Sequence, residues 1–301
     1  MTELELQHLR REKWRLDGEP VRTLEEAREF IDSVGMCLVY PVRPATLLPT
    51  LIGATLGNDQ KLPTRQSAFN DTRAQRAEEL LPKLVRNKFA FEAQLRDESL
   101  LLSPAAFPYY YALASDRKPK QLVRSRARGQ ASLLSEHVFS KLDARGPLTG
   151  PQLQEQLGGG LSEAILDRAL QELSAALKIT RVDHDPKVGD TWDVFYRWAA
   201  DAVNEGVRIS DAEALSALIS KYLDCTVAAT QEEIETFFSA FTSRARVAEV
   251  VKALLAAREF SYTPSESRTL ITVAHSNASS EVPRAGREQR TATLQPRRRN
   301  G

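Results

Sequence analysis

Residues 162–198 constrain the fold more than any other stretch. Ile165, Leu166, Ala169, Leu170, Leu173, Ala176 and Leu177 recur every third or fourth position behind a capping Ser162, which predicts a helix packed on one side. Two β-rich runs follow at 179–182 and 191–198, joined by a polar turn over 185–190. Upstream, residues 133–144 predict a helix with Leu134, Val138, Phe139 and Leu142 facing inward, broken by Gly146 and Pro147. A short second helix begins at the capping Thr149, with Pro151 in its first turn, where a missing N–H costs nothing. Leu153 and Leu157 give it an apolar face, and Gly158, Gly159 and Gly160 end it.

Three helices followed by a hairpin are the plan of a winged helix, a helix-turn-helix variant. The same order recurs more loosely downstream. Residues 212–223 predict a first helix, and Thr230 with Glu233 forms a capping box opening a second through Ile234, Phe237 and Phe238. Ser243 caps a third, with Val247, Val250, Val251, Leu254 and Leu255 apolar, and a hairpin follows over 259–263 and 268–273. The expected fold class is mainly α with small β-hairpins: tandem winged-helix modules at 130–200 and 207–275 behind an N-terminal α-rich domain at 23–129. Residues 1–22 read as a loosely held polar arm. Residues 276–301, rich in Ser, Arg and Pro, read as a disordered tail.

Within the N-terminal domain, Thr23 and Glu26 form another capping box, ahead of an apolar face of Leu24, Ala27, Phe30, Ile31 and Val34 and a C-capping Gly35. A short β-like run covers 36–42, and 45–56 reads as a helix entered through a proline turn. Residues 58–73 read as a loop. A helix over 74–88 contains Pro82, which predicts a kink or break. Short apolar stretches follow at 89–95 and 99–103, then an aromatic cluster of Phe107, Tyr109, Tyr110 and Tyr111.

The chain has 301 residues, 42% hydrophobic and 27% charged, as in an ordinary globular protein. No apolar run approaches the roughly 18 residues that a membrane span needs, and the N-terminus lacks a signal-peptide core, so a cytoplasmic protein without a membrane partner is expected. Cys37 and Cys225 read as small buried hydrophobes in a reducing compartment. The net charge of +1 is uneven: residues 276–301 carry +4, leaving −3 for the rest. That balance argues against a high-affinity, sequence-indifferent DNA binder, whose affinity rests on neutralising phosphates.

Positive charge is nevertheless grouped. Arg117, Lys118, Lys120, Arg124, Arg126 and Arg128 follow Asp116 without another acid. They fit either a solvated linker or a bridge that tracks a phosphate backbone. The third helix of the first module carries Glu163, Asp167 and Glu172 against Arg168, a poor face for phosphates. Its counterpart in the second module carries Arg244, Arg246 and Lys252 against Glu249 and is the better DNA-facing helix. Arg43 and Lys187, the latter in the first hairpin turn, complete the candidate contacts. His8, His137, His184 and His275 stand singly, without metal-ligand spacing. No phosphate-cradling loop, nucleophile elbow or dinucleotide fingerprint is present.

The pattern over about 24–274 resembles the AlkZ/YcaQ-like winged-helix DNA glycosylases. The resemblance rests on the tandem modules, on VAATQEEIETFFS from Val227 to Ser239, on LVRNK from Leu84 to Lys88 and on LLSP from Leu101 to Pro104. It implies excision of alkylated or crosslinked bases from DNA with no metal or organic cofactor. In that family the active site resembles a Gln-x-Asp or Gln-x-Gln strand near the N-terminus. The corresponding run here, 34–40, places Leu38 and Tyr40 at those two positions. Leucine cannot orient a water, and a phenol is a poor general base near neutral pH, so Tyr40 is a weak catalytic candidate. Gln152 and Gln154 read as a solvated helix face. Three readings follow: a DNA-binding protein of glycosylase-like architecture without the usual catalytic pair; an active glycosylase using other residues; and a protein-interaction scaffold.

Overall fold

The first residues fold as a helix, not as a loose arm. In the computed structural model, which describes residues 1–43, 45–95, 98–122, 132–266 and 268–274, α1 spans Glu3–Lys13. Thr2 caps it through a box with Glu5, Leu6 is fully buried, and Arg10 is only 8% exposed. Arg10 donates to the Thr226 and Ala228 carbonyls at 2.8 and 2.6 Å, and Trp14 Nε1 donates to the Cys225 carbonyl at 2.8 Å. The polar composition concealed this docking, because the anchor is a hydrogen-bonding guanidinium where an apolar stripe would be expected.

Helix α2 (Leu24–Val34) starts at the Thr23–Glu26 capping box and ends at Gly35, whose φ of +70° suits a residue without Cβ. Strand β1 (Met36–Leu38) follows, and α3 (Leu51–Leu56) begins only at the Thr50 cap. The helix expected over 45–56 is therefore half as long: Pro49 disfavours a helical conformation at the residue before it, and Thr50 supplies a start. The expected loop at 58–73 contains the short α4 (Arg65–Ala68) and the beginning of a 3-10 turn. Helix α5 (Gln75–Arg86) runs through Pro82 without a break. One missing hydrogen bond is tolerated there because Ala77, Leu80, Leu81, Leu84 and Val85 are all buried.

Strands β2 (Phe91–Leu95) and β3 (Glu98–Leu102) pair antiparallel, with β1 on the other side of β3, giving the order β1-β3-β2. Leu100 and Leu102 stand opposite Leu38 and Met36, and all four are buried. Helix α6 (Phe107–Ala114) lays its aromatics into the core: Phe107 lies 4.6 Å from Phe91, ring centroid to ring centroid, and Tyr111 is 1% exposed.

The next unit is α7 (Leu133–Arg145), β4 (Leu148–Thr149), α8 (Gly150–Gln156), α9 (Glu163–Ala175), β5 (Ile179–Asp185) and β6 (Gly189–Val194). Its own core includes Val138, Leu142, Leu153, Leu170 and Val194. Two expectations fail locally. On the expected packed face of α9, Ile165 is 53% exposed and Ala176 is exposed as well, and the second strand stops at Val194, after which Phe195–Trp198 forms the helical turn α10. Helix α11 (Ala200–Arg208) was not foreseen. It packs on α6 so closely that a Cβ on Gly206 would lie 2.7 Å from the Pro108 carbonyl oxygen.

The last unit follows the expected order: α12 (Asp211–Thr226), α13 (Gln231–Phe238), α14 (Arg244–Ala256), β7 (Phe260–Pro264) and β8 (Thr269–Val273). Its buried residues, among them Tyr222, Phe238 and Val251, belong to the same core as α2, α5, α6 and the first sheet. Cys37 and Cys225 meet in this core, both fully buried. The expected tail at 276–301 lies outside the described residues.

Candidate nucleic-acid interface

The run at 34–40 is sealed. Met36, Cys37, Leu38 and Val39 are at most 2% exposed and Tyr40 is 4% exposed. Strand β1 holds them by pairing with β3, and the Ile52 N–H donates to the Val39 carbonyl at 3.2 Å. The Tyr40 hydroxyl donates to the Glu78 carboxylate on α5. Burial, then this bond, pushes the phenol far above its ordinary pKa. Tyr40 is therefore a hydrogen-bond donor across the whole physiological range. It brings a carboxylate to the end of β1, and Glu78 keeps an exposed side. Sequence reasoning passed over Glu78; its only signal was a polar position beside the apolar stripe of α5.

A second polar cluster joins the first sheet to the β5–β6 hairpin. Arg181 makes a two-pronged contact with Glu92 at 3.0 Å and reaches Asp190 at 3.4 Å, while Ser99 donates to Glu92 at 2.6 Å. Burial works against the Arg181 charge, but Glu92 and Asp190 outweigh it and raise its pKa. His184 is exposed and pairs with the same Asp190 at 2.8 Å. These charges are satisfied by one another, as a structural clamp requires.

The basic candidates separate into two groups. Arg117 is engaged internally, donating to the Ala112 carbonyl and to Asp211. Arg246 pairs with Glu249 at 3.0 Å across one helical turn, an exposed contact worth little against a phosphate. Arg43, Lys118, Lys120, Lys187, Arg244 and Lys252 are exposed. Lys120 lies 5.4 Å from the Tyr196 ring, and Arg244 reaches Thr236 Oγ1 at 3.4 Å. Arg124, Arg126 and Arg128 lie outside the described residues. On α9, Glu172 turns back to accept from Ser132 N and Ser135 Oγ, so it caps α7 and is not a free surface acid.

A cleft of about 340 Å³ opens between the hairpin end of the first sheet and the last unit. Leu47 and Leu95 line one part; Tyr222, Glu232, Thr236 and Phe237 line another. Tyr222 and Phe237 stack with centroids 4.7 Å apart. Among the described residues, no group of three His, Cys, Asp or Glu side chains is placed to hold a metal ion. None of their helices is long and apolar enough to cross a membrane.

A family model described as DNA glycosylase AlkZ-like matches residues 67–296, well over half of the chain. No curated protein matches it.

Proposed function

The chain belongs to the AlkZ-like DNA glycosylase family, and from that premise we propose that it is a DNA-binding protein that uses tandem winged helices. In this reading α7–α9 with β5–β6 form the first module and α12–α14 with β7–β8 the second. The second faces DNA. Helix α14 begins with Arg244 and Arg246 and carries Lys252, whereas α9 carries Glu163 and Asp167. Acids on a helix repel phosphates, and guanidinium groups at the first turn of a helix attract them. Arg43, Lys118, Lys120 and Lys187 add contacts of the kind that set register on the backbone without reading sequence.

The observation that carries the reading is the family match taken together with the sealed strand. At the two positions where the family resemblance expects an amide and a carboxylate, Leu38 is 1% exposed and Tyr40 is buried. Binding without the usual Gln-x-Asp or Gln-x-Gln pair fits that burial. Equilibrium binding to duplex DNA at low salt tests it: retention is expected, and no detectable complex contradicts it.

A second reading, base excision through other residues, is favoured by one contact. Tyr40 holds Glu78 at the end of β1, and a carboxylate can accept a proton from water or face a developing positive charge at a sugar carbon. Incubation with alkylated and with crosslinked duplexes, followed by detection of abasic sites, separates the readings. Abasic sites that vanish in Glu78→Gln support excision; none with the unaltered chain removes it.

A further inference from the structure

We propose that Arg268, at the turn of the β7–β8 hairpin, is a contact for a DNA phosphate, and that α1 keeps it occupied with the Glu3 carboxylate until DNA displaces that group. The proposal rests on the DNA-binding reading and adds an internal competitor to it. Arg268 is the only cation between Phe260 and Val273. Its Nη2 donates to both Glu3 oxygens at 2.9 Å, and its Nη1 donates to Glu233 at 3.3 Å. A phosphodiester presents two free oxygens to a guanidinium much as a carboxylate does, and arginine binds both through charge-assisted bonds. Glu3 thus stands where a phosphate would stand. It lies before the stretch that the family model matches, which begins at residue 67.

The two acids on Arg268 are not equivalent. Glu233 belongs to the α13 capping box, accepting from Thr230 N at 2.7 Å and from Thr230 Oγ1 at 3.1 Å, so it stays and orients the guanidinium. Glu3 accepts from no other group among the described residues and takes no part in the Thr2–Glu5 cap of α1. The Arg268 and Glu3 side chains are 31% and 37% exposed, and a pair this open to water contributes little to stability. Arg181 and Glu92, at 18% and 13%, are by contrast shut in between the first sheet and the β5–β6 hairpin. Releasing Arg268 leaves α1 in place. Leu6 packs with Ala228 and Leu270, Arg10 holds the Thr226 and Ala228 carbonyls, and Lys13 pairs with Asp224 at 2.8 Å. Only one side chain has to turn.

The test compares the equilibrium affinities of the full chain and its variants for one undamaged duplex at one low ionic strength. Glu3→Gln keeps the shape of the side chain and removes the charge that competes with phosphate. It should tighten binding about two- to fivefold, the range that loss of one exposed ion pair spans. Glu3→Ala, a second variant at the same position, should show the same gain. The gain needs Arg268, so Glu3→Gln/Arg268→Gln should bind no more tightly than Arg268→Gln alone. Glu12→Gln removes an exposed acid from the same helix about 14 Å away and reports what long-range repulsion alone does; its gain should be smaller. Unchanged or weaker binding by both Glu3 variants overturns the proposal, as does an equal gain in Glu12→Gln or a gain that survives Arg268→Gln. In each of those cases DNA is bound and the DNA-binding reading stands. Absence of binding by the unaltered chain and by every variant removes both.

Discussion

Val227 ends α12 with a φ of 66°, a left-handed conformation that β-branched residues rarely adopt. The carbonyls on either side of it, those of Thr226 and Ala228, both accept from Arg10. A single buried guanidinium therefore pins a strained turn and satisfies carbonyls at a helix C-terminus. Replacing Arg10 with Met leaves those acceptors unpaired and should cost about 1–3 kcal/mol. A lower midpoint in chemical denaturation checks this; an unchanged midpoint contradicts it. Glu172 works at the other kind of helix end. The bond from Ser135, helped by those from Ser132, holds its carboxyl below the ordinary range against the opposing effect of burial. Its folded pKa lies below the unfolded one, so its contribution is complete above the unfolded value and is lost as pH falls through the folded one. Glu172→Gln should lower stability near neutrality and flatten the loss of stability on acidification, as read from denaturation midpoints between neutral and acid pH.

At the scale of elements, what could be read in the sequence was local and what could not was shared. The capping boxes at Thr23 and Thr230 mark true helix starts because cap, carboxylate and apolar face lie within a few residues. The three-helix-and-hairpin order of 133–194 and 211–273 was legible for the same reason. Pro82 misled because tertiary burial of the α5 stripe outweighs one lost hydrogen bond, and Phe195–Trp198 misled because its aromatics suit a strand as well as a buried turn. The cleft was not legible: Leu47, Leu95, Tyr222 and Phe237 come from four separate stretches of the chain. Helix α11 escaped notice although Gly206 marks where it touches α6. Gly206→Ala places a methyl group against the Pro108 carbonyl and Tyr111. It should destabilise by about 1–3 kcal/mol through overpacking, a loss that thermal unfolding would register as a lower midpoint.

For the whole molecule, the distribution of core and charge connects fold to function. The last unit shares its core with the N-terminal region, while α7–α9 keep a core of their own. The proposed DNA-facing helix α14 is thus built into the same packed body as the end of β1 and the cleft. The charge balance, −3 before residue 276, means that binding must come from a few placed cations, not from a uniformly basic surface. A few contacts leave a measurable signature, because each phosphate neutralised contributes about 0.9 to the slope of log affinity against log salt concentration. The most direct measurement is that slope for the unaltered chain and for the double variant Arg244→Ala/Arg246→Ala on one duplex. DNA binding through α14 predicts a complex that weakens steeply with salt, and a double variant that binds more weakly with a slope shallower by about 2. Equal affinity and an equal slope in the two proteins would contradict it.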